Sequence, residues 1–417
     1  MTNTFNASKE LTLTNEQIVN LICKLKHAIY LKSLNGRDGW SIISGNPSRI
    51  SVNPNEVTLN KEGYCDTVTG QSFTSGWIGV NGYDKKFFFA AYYDWSYSFC
   101  HESNEGWLYF SETCSKETRN AVNKLIESSS SNSDLNQNLT TRALDWKPSQ
   151  SFSQYNSSFA KLKDYIFAGD CYQANLTQRF EANAKWSKGD AINAFLNDTD
   201  RSMANYCAFI EIEANNFLLS LSPEQFLQCH EGTLQSKPIK GTVKANGALT
   251  TKQEQELLSI KNKAENLMIV DLLRNDLGKV SETGSVTVEK LFDIESFSNV
   301  HHLVSTIKSK LNRARYDEFS AFLNCFPGGS ITGAPKIRAM EIIKEIEKHP
   351  RRYYCGSIFY WDDRTNNFDS NILIRTVELI NNKAYCWAGG GIVADSELMS
   401  EYQESINKVR HITGINP

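Results

Sequence analysis

Apolar residues recur at three- and four-residue steps after Asn15. Ile18, Leu21, Ile22, Leu25 and Ile29 fall on one face, and the spacing predicts a helix over Asn15 to Leu34. The next stretches change period. Ser75 to Asp84 and Lys86 to Tyr93 are short, aromatic-rich runs set off by glycine turns, and they read as buried strands. Further on, helices are predicted over Ser153 to Ala168, Lys261 to Leu277, Lys336 to Lys348 and Met399 to Ile412. Gly169, Gly278, Pro350 and Gly414 stand as their stops. Two β-rich runs fill Asn205 to Leu221, and strands are predicted over Ser285 to Glu289, Ser357 to Trp361, Ile372 to Ile380 and Lys383 to Ala388. Strands often follow one another with no helix between them, which predicts antiparallel sheets with helices packed outside, an α+β fold.

One segment breaks the pattern. Glu127 to Thr141 is rich in Ser and Asn and almost free of apolar residues, so it is expected to be a flexible loop. It suggests an N-terminal part, 1–126, a linker, 127–149, and a C-terminal part, 150–417. A chain of 417 residues also exceeds what one small core supports. Charge adds little: a formal net charge of −3 gives no reason to expect nucleic acid or an anionic membrane as partner. No stretch reaches the roughly 18 apolar residues of a membrane span, and the first twenty residues lack a signal-peptide pattern. Ten cysteines lie scattered without a CxxC pair, which fits reduced thiols in a cytoplasmic protein.

Two glycine-rich segments invite phosphate readings. Gly328 to Lys336 has the look of a P-loop, but Ala334-Pro335 stand between the last glycine and the lysine, where a Walker A loop has none. Gly389-Gly390-Gly391-Ile392-Val393-Ala394 satisfies GxGxxA, yet only one helix follows and no βαβ unit fits. Taken alone, both read as tight turns at sheet ends. Their glycines would also let backbone amides approach an anion.

The terminal helix places Glu401, Glu404 and Lys408 at i, i+3 and i+7, on one face. Such a row is ordinarily a solvated surface. The Lys261 helix contributes Glu265 beside the apolar run Leu267 to Val270, and a carboxylate next to a buried face needs a partner. Two carboxylates on separate helices, completed by substrate oxygens, suit Mg²⁺. Lys240, in Pro238-Ile239-Lys240-Gly241-Thr242, is either an exposed strand-end lysine or a nucleophile; position alone leaves both open.

At this point the residues match a family. The segments GDCYQANLTQRF (169–180), SPE (222–224), PIKGT (238–242) and AENLMIVDLLRNDLGKV (264–280) resemble the chorismate-utilising enzymes. So do VHHLVS (300–305), FPGGSITGAPKIRAMEII (326–343), YCGS (354–357), IRT (374–376), AGGGIVADS (388–396) and EYQESINK (401–408). The family includes anthranilate, aminodeoxychorismate, isochorismate and salicylate synthases. The match is unbroken over about 150–417 and looser in the N-terminal part, at GWIGVNGYD and YDWS.

The resemblance implies two stacked, mostly antiparallel β-sheets with helices outside and an active site in the cleft. It also implies roles. Glu265 and Glu404 resemble Mg²⁺ ligands, with Glu401 as a third ligand or behind them. Arg375, Tyr354 and Lys408, with the Thr332 and Gly391 regions, resemble the binders of chorismate's carboxylates. Glu224 resembles a general acid/base, and His302 a histidine near the reacting ring. Lys240 resembles the lysine that marks aminodeoxychorismate synthases, where anthranilate, isochorismate and salicylate synthases typically carry Ala. It would add at C2 of chorismate before ammonia adds at C4. Anthranilate synthase component I is the alternative. The family pattern is departed from at Gln225, where Arg is commoner, and at Asn262, where an acid is frequent. No GxCxG glutaminase segment occurs, so ammonia is expected from a separate glutamine amidotransferase subunit or from solution.

Overall fold

The structure, a computed structural model, describes residues 6–10, 12–32, 39–59, 73–84, 86–131, 143–202, 204–245, 247–297 and 300–416. Among the described residues two sheets carry the fold. The first has twelve strands. Its order runs from Asn6–Glu10 through Glu105–Phe110, Trp95–Cys100, Trp40–Ser44 and Ile29–Lys32 to Tyr206–Glu213, Asn216–Ser222, Thr376–Ile380, Lys383–Ile392, Gln173–Asn183 and Gly333–Ala334. Lys147–Pro148 pairs alongside Gln173–Asn183. The second has ten strands. Ile239–Lys244 and Val300–Lys310 lie at one end, Phe88–Tyr93 and Arg49–Ser51 at the other. The ladders that build the cleft are antiparallel, which bears out the α+β reading.

The sheets stack through a shared apolar layer. Ile29, Ile42, Ile210 and Leu218 of the first meet Ile78, Val80, Phe89 and Ile358 of the second. Helices cover the outer faces. Asn15–Lys24, Lys188–Ser202 and Leu398–Thr413 pack on the first sheet, and Ile260–Val280 and Glu318–Cys325 on the second. Both sheets join strands from before and after residue 150, through Ile29–Lys32 with Tyr206–Glu213 and Gly76–Asn81 with Ser357–Asp362.

Several local expectations change. The first helix ends at Lys24, and Ile29 starts a strand held between two neighbours. Ladder bonds on both sides of Ile29–Lys32 outweigh a helical period that its alternation also fits. The expected loop at Glu127 begins as helix, since Lys116–Ser131 is continuous and anchored by buried Val122 and Ile126. Residues 132–142 lie outside the described residues. Gly278 does not stop its helix, which runs from Ile260 to Val280 with Leu277 and Val280 buried. The strand expected at Ser285 spans Thr287–Ser296. The triple glycine is no turn: Gly389, Gly390 and Gly391 lie inside the Lys383–Ile392 strand, paired with Thr177, Leu176 and Asn175.

Candidate active site

The Ile239–Lys244 strand does not pair evenly. Ile239 opposes Val304 and Thr242 opposes His302, so the register shifts by one residue between them. Lys240 and Gly241 occupy that irregularity, and Gly241 has a φ of 82°, a left-handed conformation that a side chain would strain. The bulge re-aims Lys240 relative to a regular strand. Asn262 packs beneath it, with its amide nitrogen 2.9 Å from where a Cβ on Gly241 would sit.

Glu224 faces Lys240 from just beyond the Asn216–Ser222 strand. Its backbone is fixed at both ends: its N–H donates to Ser222 Oγ at 3.2 Å, and its carbonyl accepts from Ile372 N at 3.0 Å. Burial raises the carboxyl pKa, while Lys240, the Ser330 hydroxyl and Arg375 pull it back. A buried carboxyl near two cations suits a proton donor or acceptor.

Arg375 completes this group. It adopts a φ of 51°, uncommon for a non-glycine residue. Its carbonyl accepts from Leu221 N at 3.0 Å, and its guanidinium donates no hydrogen bond among the described residues. Burial lowers its pKa and nearby Glu224 opposes that. A half-buried guanidinium with its donors uncommitted suits an anion. His302 stands beside it on the Val300–Lys310 strand. Its Nδ1 lies 2.8 Å from Thr242 Oγ1, and Phe297 packs on its ring at 5.6 Å. Burial, with Arg375 adding to it, pushes the imidazole down to about 4. His302 is therefore neutral at physiological pH.

A second group lies on the terminal helix. Lys408 Nζ is 2.6 Å from Glu404 Oε1 and 2.9 Å from the Gly389 carbonyl. Glu401 is buried and accepts from Ser396 Oγ at 2.8 Å. Gly390, on the strand opposite, leaves a gap that these groups enclose. A Cβ there would meet Glu401 Oε2 at 3.2 Å, Lys408 Nζ at 3.5 Å and Glu404 Oε1 at 3.6 Å. Burial raises the Glu401 pKa. At Glu404 burial acts the same way, but Lys408, Lys261 and Lys240 together outweigh it and leave the pKa lowered. The positive charge of Lys240 bears on both Glu224 and, more weakly, Glu404. Lys261 lies one turn before Glu265 on the Ile260–Val280 helix, so that helix faces the acidic pair.

Two carboxylates around a glycine gap, with half-buried Glu265 on the facing helix, fit a cation that keeps waters and takes substrate oxygens. Among the described residues no three His, Cys, Asp or Glu side chains gather into a group that could hold a metal ion, so Glu265, Glu401 and Glu404 do not form a three-carboxylate site by themselves.

Thr332 is buried, and its hydroxyl donates to the carbonyls of Gly328 and Gly329 at 2.9 and 3.3 Å. It shapes its own loop. Gly391 packs on Gln173, and Tyr354 stacks on Trp387 with centroids 6.0 Å apart. Cys355, next to Tyr354, donates to the Leu373 carbonyl at 2.8 Å, two residues from Arg375. Lys336 confirms that the glycine loop is no P-loop: its ammonium binds Asp276 and the Cys325 and Pro327 carbonyls.

Sequence reasoning missed Ser330, Ser396 and Lys261, because a hydroxyl or amine without a pattern carries no signal until the chain folds. Gln225 turns away from the cleft. It bonds Asp369 and Gln235 in the wall of a cavity of about 680 Å³ between the sheets, lined also by Trp40, Tyr206 and Phe359. The acidic gap and Arg375 lie outside that cavity.

The sequence profile of the chorismate binding enzymes matches residues 81–414. The chain belongs to this family. It is 46% identical over 275 residues to aminodeoxychorismate synthase component 1 of Escherichia coli K12, covering 65% of this chain and 59% of that one. It therefore spans less than two thirds of that relative's length. Anthranilate synthase component 1 of Bacillus subtilis is 39% identical over 264 residues, 61% of this chain and 49% of that one. Among solved structures, anthranilate synthase component I of Streptococcus pneumoniae superposes with a TM-score of 0.77 at 28% identity, covering 90% of this chain and 92% of that one. The nine cysteines among the described residues are free thiols, and no described helix is long and apolar enough to cross a membrane.

Proposed function

We propose that the chain is the chorismate-processing component of an aminodeoxychorismate synthase, forming 4-amino-4-deoxychorismate for 4-aminobenzoate and folate synthesis in the cytoplasm. The observation that carries this reading is Lys240, set in a strand bulge beside buried Glu224 and the uncommitted Arg375. The E. coli relative, named for this activity, supports it.

Arg375 holds one carboxylate of the chorismate dianion by its planar fork. Lys408, Tyr354 and the Thr332 and Gly391 backbone complete the cradle. Glu265 and Glu404, with Glu401, would hold Mg²⁺, which supplies positive charge for a substrate carboxylate. The Lys240 amine adds at C2. The two ring double bonds shift, the C4–O bond breaks, and Glu224 gives the departing hydroxyl its proton, so water leaves. Ammonia then adds at C4 and its surplus proton returns to Glu224, the double bonds shift back, and the C2–N bond to Lys240 breaks, freeing the lysine amine. Chorismate and ammonia become aminodeoxychorismate and water, and the enolpyruvyl group stays. Neutral His302 donates or accepts a hydrogen bond at the ring without changing charge. A separate glutamine amidotransferase subunit supplies the ammonia.

Incubating the protein with chorismate, Mg²⁺ and ammonium tests the proposal. The expected product is aminodeoxychorismate without pyruvate. Anthranilate with stoichiometric pyruvate would overturn it in favour of anthranilate synthase chemistry.

A further inference from the structure

Lys163 stands on the Phe152–Phe167 helix, outside both groups of the site, and its ammonium is fully engaged. It donates to the carbonyls of Val393 at 3.3 Å, Ala394, and Ser396 at 3.1 Å. An ammonium has three donors, and here all three go to one short loop. Phe159 and Phe167 flank it, with ring centroids 5.8 and 5.2 Å from Nζ. The loop joins the triple-glycine strand to the terminal helix. Inside it, Ser396 Oγ accepts from Val393 N at 3.2 Å and donates to Glu401 Oε1 at 2.8 Å. The other Glu401 oxygen is the one that faces the gap above Gly390. Glu401 has one oxygen tied to the loop and one left for the gap.

We propose that Lys163 is a positioning residue for the acidic site: by gathering the 393–396 carbonyls it sets Ser396, and Ser396 aims the Glu401 carboxylate at the cation. This rests on the reading of the gap as a metal site. The geometry favours it over a purely structural tether. Nothing else in the loop orients Glu401 Oε1, and a carboxylate with a free torsion would spend less time with Oε2 at the gap. Partners that orient a ligand in this way typically change metal affinity by about 10- to 100-fold when removed.

Mn²⁺ serves as the probe, with free Mn²⁺ followed by electron paramagnetic resonance on the purified full chain. Lys163→Met and Ser396→Ala are expected to weaken Mn²⁺ binding by about tenfold or more. Lys163→Arg, which keeps a charge and several donors, is expected to recover most of the loss. Glu401→Gln and Glu404→Gln provide the separate controls. Unchanged Mn²⁺ affinity in Glu401→Gln overturns the positioning proposal, whereas unchanged affinity in Glu404→Gln sinks the metal-site reading itself. A weakened Glu401→Gln alongside wild-type affinity in Ser396→Ala overturns the positioning role alone. Ser396→Ala removes only a hydroxyl, so it decides the matter even where Lys163→Met yields no folded protein.

Discussion

Lys408 reaches back one helical turn to Glu404, its Nζ 2.6 Å from Oε1, and in doing so places an ammonium at the rim of the gap above Gly390. A cation entering the gap would compete with that ammonium for the same carboxylate oxygen. Lys408 thus offsets part of the repulsion between the two glutamates before any metal arrives, although burial and then Glu404 still push the Glu401 pKa up. Glu404→Gln keeps the shape and removes the charge. It is expected to raise the Mg²⁺ concentration for half-maximal activity by about tenfold or more. Unaltered Mg²⁺ dependence would remove Glu404 from the metal site.

Gly390 offers a sharper test, because its backbone is ordinary strand and only space is at stake. Its added Cβ would sit 3.2 Å from Glu401 Oε2 and 3.6 Å from Glu404 Oε1, where the proposed cation would bind. Gly390→Ala is expected to melt within a few degrees of wild type while losing most of its Mg²⁺-dependent activity. Thermal melting and a Mg²⁺ titration on the same preparation separate the two effects.

The sequence made the long elements legible, and the reason is periodicity. The Phe152–Phe167 and terminal helices matched within about a residue because an apolar face and a stop signal agreed. The first helix did not, because Ile29 fits both a helical step and a strand alternation, and the sheet chose. Glycine misled twice. Gly278 is tolerated inside a helix whose neighbours are buried, and Gly389 to Gly391 form a strand whose missing side chains make room for a facing helix. Within the site, charged residues stood out through their motif, whereas Ser330, Ser396 and Lys163 matter only through what folding brings beside them.

His302 gives a pH prediction. Its folded pKa is about 4 against an ordinary 6.5, because burial and Arg375 disfavour the charged ring. Between those values the unfolded chain binds a proton that the folded chain does not, so stability falls as pH drops from 6.5 toward 4. From pH 7 to pH 5 this one group should remove about 2 kcal/mol. His302→Gln, which can still meet Thr242 Oγ1, is expected to lose correspondingly less over that interval. Urea midpoints at the two pH values measure it. Identical losses in both proteins would show that His302 is not the group responsible.

In the proposed function, Lys240 decides which chemistry the fold performs. Its amine sits in a bulge braced by Gly241 and Asn262, so shortening the side chain to Ala leaves the strand pairing of Ile239 and Thr242 in place. The carboxylates of chorismate would be held elsewhere, by Arg375 and the acidic site. Lys240→Ala should therefore bind chorismate with nearly the wild-type KM and lose kcat by on the order of 100-fold or more, as expected for a group whose contribution appears in the transition state. A direct bond to substrate makes a second, independent prediction. With chorismate present and ammonia absent, the adduct at C2 has no nucleophile to expel the lysine. Mass spectrometry of the trapped protein should find added mass on the peptide containing Lys240 and on no other. An Ala variant with wild-type kcat, together with an unmodified Lys240 peptide in the parent, would exclude covalent catalysis here. The reading would then pass to a direct addition of ammonia at the ring, the route expected of an anthranilate synthase.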